Sequence, residues 1–224
     1  MRQSIQKLGR KSGITRKAAK LILSPFLVLC LSSFSLSQQR GGRGGPFIML
    51  NSMNLNSIND YLTSLGIAPF DDEPSLFWGC EGMADKKKLA WGGLFVHGSQ
   101  VEQQGAQRQE LSINFGGPII EYRLLEKKSF DLALIGGFGG TWAALTLIGD
   151  RSSKFTYASF LFHGGLKFAF RPLKKLTLKA AVGYNGVPKS SWKRKAGDLA
   201  LPGSTSLGGL HFRFGIRFGG SKSD

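Results

Sequence analysis

From Phe160 to Arg171 the chain alternates: Phe160, Phe162, Gly164, Leu166, Phe168 and Phe170 fall on even positions, and Leu161, His163, Gly165, Lys167, Ala169 and Arg171 on odd ones. Period two marks a β-strand with one apolar face and one small or basic face. A turn follows at Pro172-Leu173-Lys174-Lys175, where proline has no ladder donor to lose. The same scheme resumes with Leu176, Leu178, Ala180, Val182 and Tyr184 against Thr177, Lys179, Ala181, Gly183 and Asn185, and returns over Leu210–Phe218. Upstream, Asp131–Ala143 alternates as well. Between Gln109 and Leu125 the apolar residues move from odd positions (Leu111, Ile113, Phe115) to even ones (Ile120, Tyr122, Leu124), which predicts a β-bulge at Gly116-Gly117-Pro118 to restore the faces. Ser75–Gly82, Lys88–Gly98 and Pro46–Asn51 are weaker strand candidates. Together these make eight.

The expected connections at Met83–Lys87, Glu126–Lys128 and Pro172–Lys175 are short, Gly149–Ser153 is intermediate, and Ser99–Arg108 and Val187–Thr205 are longer. Short turns at one rim and longer loops at the other, with an even strand number, are how outer-membrane barrels are built. One stretch is helical instead: Leu55, Ile58, Leu62 and Leu65 share a face, with Asn54 as a cap and Gly66 and Pro69 as stop signals. A helix of about three turns over 54–66 is therefore expected between the first two strands, plugging the lumen, lying on the membrane surface or covering a rim.

Alternation alone does not say which face meets the solvent. A soluble barrel would line its second face with charged and polar groups, yet here that face carries Gly137, Gly139, Gly165, Ala169, Ala181, Gly183 and Gly215 among a few bases. Small residues beside long Arg and Lys suit the crowded interior of eight strands, which is only wide enough for side chains. A closed barrel also leaves no unpaired backbone in lipid. The fold expected is all-β, an eight-stranded antiparallel transmembrane β-barrel with a short helical insert near the N-terminus.

The first residues explain much of the charge. The chain has 224 residues and a formal charge of +16. Residues 1–37 hold seven bases and no acid, so the remainder carries 23 bases against 14 acids, or +9. A basic segment to residue 20, an apolar stretch from Leu21 to about Phe34 and Ser35-Leu36-Ser37 as a small-x-small site read as a cleaved secretory signal over 1–37. Leu29 stands where a lipoprotein signal before Cys30 would have a small residue, so no lipid attachment is expected there. Residues 38–45 are expected as a flexible Gly/Arg leader, 46–219 as the barrel and 220–224 as a tail. Cys80 is then the lone cysteine of the exported chain, so no disulfide supports the fold.

With its signal, its short-turn hairpins and its last strand Leu210-His211-Phe212-Arg213-Phe214-Gly215-Ile216-Arg217-Phe218, the chain resembles the small bacterial outer-membrane barrels over about residues 75–218. Members of that class usually end on the aromatic residue, whereas Gly219–Asp224 follow Phe218 here. The resemblance implies residence in the outer membrane, contact with its lipid and with lipopolysaccharide, and recognition by the barrel assembly machinery.

Candidate chemistry is sparse. His163, Lys167, Arg171, Lys179, His211, Arg213 and Arg217 occupy inward positions of the last three strands and form a lumen basic cluster. They either pair with carboxylates or carbonyls across the interior or line an anion-preferring constriction. Lys189, Trp192, Lys193, Arg194 and Lys195 form a basic patch in the longest outer loop, either simply solvated or in contact with anionic lipopolysaccharide or surface polymer. Asp71-Asp72-Glu73 is read as a solvated acidic loop, with no metal site or cofactor expected. Arg40-Gly41-Gly42-Arg43-Gly44-Gly45 has the look of an RNA-binding RGG element, but a leader explains it more simply and no nucleic-acid partner is expected. No nucleophile or metal motif surrounds the three histidines. Some barrels of this class modify lipid A with a His and a Ser on the lipid-facing side; His163 and His211 fall on the opposite face, so no enzyme is expected. The function expected is a structural or surface-interaction role, with a narrow anion-preferring pore as the alternative and a lipid-modifying enzyme after it.

Overall fold

In the computed structural model, which describes residues 42–149, 152–173 and 175–219, nine strands and one helix follow the chain. They are β1 (Gly42–Met53), α1 (Asn56–Ser64), β2 (Ser75–Lys86), β3 (Leu89–Gln104), β4 (Gln107–Glu126), β5 (Phe130–Ile148), β6 (Ser153–Leu173), β7 (Leu176–Gly186), β8 (Lys193–Ala196) and β9 (Gly209–Phe218). The expected signal (1–37) and tail (220–224) lie outside the described residues.

Eight of the strands close a barrel. Each pairs antiparallel with the next from β1 to β7, β7 pairs with β9, and β9 returns to β1 through Ile48↔Phe214 and Leu50↔Phe212. Phe160, Phe162, Phe168, Phe170, Phe212 and Phe214 all point outward and are exposed, while Lys167, His211 and Arg217 on the opposite faces are buried. The greasy faces therefore meet lipid. On β6 this exposed apolar band runs from Phe160 to Phe170, about 33 Å along the strand and about 25 Å along the axis at the usual tilt, which matches an outer-membrane core.

The expected bulge at Gly116-Gly117-Pro118 is absent. Register runs evenly through these residues against both neighbours, and the irregularity on β4 lies between Arg123 and Leu125. What changes at Gly116 is the chemistry of the two faces. Above it Leu111, Ile113 and Phe115 point inward and Ser112 and Asn114 outward; below it Glu121 and Arg123 point inward and Ile120 and Tyr122 outward. The strand keeps its phase and changes its surroundings.

Other boundaries shift too. Gly42–Gly45 are part of β1, paired with β2 over Gly42↔Ala84 to Gly45↔Glu81, so they are strand and not leader, and Arg43 is buried. The expected loop Ser99–Arg108 shrinks to Gly105-Ala106, because β3 and β4 continue upward as a long hairpin closed by Gly105 at φ +61°. In consequence β3 to β6 rise well beyond the tops of β1, β2, β7 and β9. On the concave side of this raised wall α1 buries Ile58 and Leu62 against a cluster that includes Phe77, Leu111, Leu145 and Phe155. The helix is shorter than expected. Its C-terminus closes with Gly66 at φ +70°, Gly66 N–H donating to Thr63 O and Ile67 N–H to Leu62 O, the paired bonds of a Schellman end. At the start the Asn54 side chain accepts the Asn56 N–H at 3.2 Å.

Candidate functional site

The lower half of the lumen is a network of buried ions. All seven residues of the expected basic cluster point inward there, from β6, β7 and β9. The carboxylates come from strands whose inward faces the alternation left unassigned: Glu81 and Asp85 on β2 and Glu121 on β4. Lys179 Nζ lies 2.8 Å from Glu81, and Arg217 bonds Glu81 through both Nε (3.1 Å) and Nη2 and reaches Glu121 at 3.3 Å. Lys167 pairs with Glu121. Arg43 bridges Asp85 at 2.9 Å and Glu121 at 3.0 Å, and Arg123 pairs with Asp85. At the rim Arg171 closes on Asp131. His163 Nδ1 is 3.0 Å from Asn185 Oδ1 and its Nε2 3.2 Å from Arg213, while the His211 ring packs 4.9 Å from that of His163. An ion removed from water needs such partners, and most of these have them.

Above this layer the lumen is filled by apolar side chains and covered by α1. Gln109 Nε2 donates to Ala68 O at 2.7 Å, and the Asn59 amide exchanges two bonds with the Phe70 backbone, so the segment after the helix is pinned to the wall.

The outer basic patch is divided. Trp192 is not in it: the indole is buried, 5.2 Å from the Tyr157 ring, with Nε1–H donating to Thr205 Oγ1 at 3.1 Å. It anchors the loop. The bases that follow form β8, paired with the top of β6 through Thr156↔Lys193 and Phe155↔Arg194. Lys193 therefore shares the outward face of Thr156, while Arg194 turns toward the concave side. There its charge acts on Tyr61 of α1, whose phenol pKa burial raises. The register then shifts, so that Lys154, outward on β6 and ahead of the alternation that starts at Phe160, pairs with Ala196, and Lys195 is the extra residue of the shift. Lys189 is exposed nearby. None of these bases makes an ion pair among the described residues. Asp71, Asp72 and Glu73 lie exposed on the loop before β2.

A last polar group lies on the outside. Trp78, His97, Asn114 and Trp142 form one outward row across β2 to β5, at the upper edge of the apolar belt. His97 Nδ1 is 2.8 Å from Asn114 Oδ1, and its ring meets Trp78 edge-on at 5.2 Å. Ser99 follows on the same face, opposite Ser112.

No family model matches the chain, and no curated protein matches it. Solved structures do. Neisserial surface protein A (NspA) superposes with a TM-score of 0.57 at 9% identity, over 80% of this chain and 97% of its own. The attachment invasion locus protein Ail of Yersinia pestis, in complex with the heparin analogue sucrose octasulfate, gives 0.51 at 13% identity, over 79% and 99%. The fold is that of the small outer-membrane barrels. A major outer membrane protein from Thermus thermophilus agrees, with 0.50 at 7% identity over 79% and 98%.

Proposed function

We propose that the chain is exported to the outer membrane, inserted there by the barrel assembly machinery, and serves as a surface-interaction barrel that holds anionic saccharide, such as lipopolysaccharide or a surface polymer, on the outward face of β6 and β8. The observation that carries this is Lys154 on β6 with Lys193 and Lys195 on the facing β8, none with a carboxylate partner among the described residues, in a loop held by the buried Trp192. A fixed array of unpaired cations about 15 Å above the apolar belt meets the phosphate and sugar layer of the leaflet. Ail, similar in fold, takes up a sulfated sugar. Titration of the refolded barrel with sucrose octasulfate should show binding that falls at least tenfold in K154Q/K193Q/K195Q and weakens with salt; equal affinity in the variant overturns the reading. Fractionation with heat-modifiable gel migration tests the location. The narrow anion-preferring pore has less support, because ion pairs and α1 fill the lumen.

The lipid-modifying enzyme remains as a second reading, favoured by His97. If its Nδ1–H donates to Asn114, Nε2 is left as an acceptor facing the interface. Ser99, two residues along the same face, would attack an acyl ester while Nε2 takes its proton and passes it to the departing sugar hydroxyl as the ester C–O bond breaks, leaving an acyl-serine that water then hydrolyses. Mass spectrometry of lipid A from cells with and without the gene, and with H97A or S99A, decides: identical acylation in all four rejects it.

A further inference from the structure

The buried lumen holds more positive charge than its carboxylates neutralise. Six cations, Arg43, Arg123, Lys167, Lys179, Arg213 and Arg217, face three carboxylates, Glu81, Asp85 and Glu121. Counting the rim pair Arg171–Asp131 and the half-exposed Glu126, which Arg123 also reaches, leaves seven against five. Uncompensated charge in a low-dielectric interior is strongly unfavourable, so a surplus of two or three is relieved by proton loss from a buried lysine together with a bound counter-charge.

The surplus is localised. Every cation but one has a carboxylate oxygen within 3.1 Å; Arg213 has its nearest at 3.8 Å, on Glu81. Its Nε and Nη1 have no hydrogen-bond partner although the residue is 4% exposed. One face of the guanidinium is covered by Phe47, 5.5 Å away, and Lys179 lies over the same ring. Beside them is a cavity of about 10 Å³ lined by Phe47, Glu81, Lys167, Lys179, Ala181 and Arg213, about the space of one small particle. Three of the six lining residues are cations.

We infer that this cavity binds a single small inorganic anion of the halide class, held by Arg213 with Lys179 and Lys167, as a structural counter-ion of the closed barrel. Phosphate and organic anions are too large for it. The ion is a bound component of the lumen, enclosed between the apolar plug above and the Arg171–Asp131 rim below.

The refolded exported chain tests this in detergent, with unfolding followed by heat-modifiable migration at constant ionic strength. Replacing sodium gluconate by sodium chloride should raise the midpoint saturably, by about 4 °C at ten times the dissociation constant, and R213Q should abolish most of that rise. Crystals of the unaltered chain grown in bromide should show one anomalous peak in contact with Arg213. Equal midpoints in the two salts together with no lumen bromide peak overturn the inference, whether or not R213Q folds.

Discussion

Arg217 and Glu81 meet inside the lumen over the inner face of β1, 136 residues apart in sequence, on the two strands that flank it. The Nε–H donates to Oε1 at 3.1 Å and Nη2 adds a second, shorter contact. The pair ties the two strands that flank β1, Arg217 also reaches Glu121 on β4 across the lumen, and Glu81 also holds Lys179. Removing that carboxylate leaves several buried cations with a poorer partner. Glu81→Ala should therefore lower unfolding stability by about 3–5 kcal/mol in urea titrations of the detergent-refolded protein. Glu81→Leu with Arg217→Leu together should cost much less than the two single changes added. Additive losses would mean that the pair is not coupled.

The orientation of the strands predicts a depth-dependent penalty. Leu166 lies mid-belt on the lipid face of β6, and Ala158 lies on the same face above the belt. Leu166→Arg should cost about 2–4 kcal/mol in lipid vesicles, and Ala158→Arg about 0–1 kcal/mol. Equal costs would contradict the placement of the bilayer.

Glycines divide by where a Cβ would go. At Gly92 it would collide with the Gly82 carbonyl oxygen, part of the neighbouring backbone, whereas at Gly164, outward on β6, nothing lies within 4 Å. Gly92→Val should abolish the heat-resistant folded form on gels. Gly164→Ala should preserve it, with a stability change within about 1 kcal/mol.

The anchor of β8 can be separated from its charges. Trp192→Ala removes the bond to Thr205 and the contact with Tyr157 while every lysine remains. Protease should then cleave near Lys193–Lys195 in intact cells, and sucrose octasulfate affinity should fall by at least threefold with the barrel still heat-modifiable. Unchanged protection would show that Trp192 does not position the strand.

The strands nearest the C-terminus were legible because their two faces differ along most of their length: Phe160 to Phe170 outward, His163 to Arg171 inward. The misreading of β4 has a physical origin. A strand that leaves the bilayer while still lining a filled interior exchanges its patterns, apolar outside and charged inside below Gly116, polar outside and apolar inside above it. Leu145 and Phe155, buried on β5 and β6, belong to the upper regime, as do the outward Thr146 and Lys154. That inversion imitates a slip of phase. Of the lumen cations, Lys167, Arg171, Lys179, Arg213 and Arg217 could be read from alternation, but Arg43 could not, because it sits in a Gly/Arg run that looks like a leader, nor Arg123, on the strand with the apparent slip. The acidic half of the cluster could not, because Glu81 lies in a weak strand candidate and Glu121 on the strand with the apparent slip. His97 escaped likewise, since Lys88–Gly98 gave its residues no face. Trp192 looked like a loop residue because nothing local signals the Tyr157 and Thr205 that bury it.

The unequal heights of the staves give the molecule a front and a back. Four strands end near the leaflet surface and four stand above it, so one flank lies low while the other stands clear of it. Whatever approaches from outside therefore first touches the tall flank, and rotation of the barrel about its own axis decides which neighbours in the leaflet share that encounter.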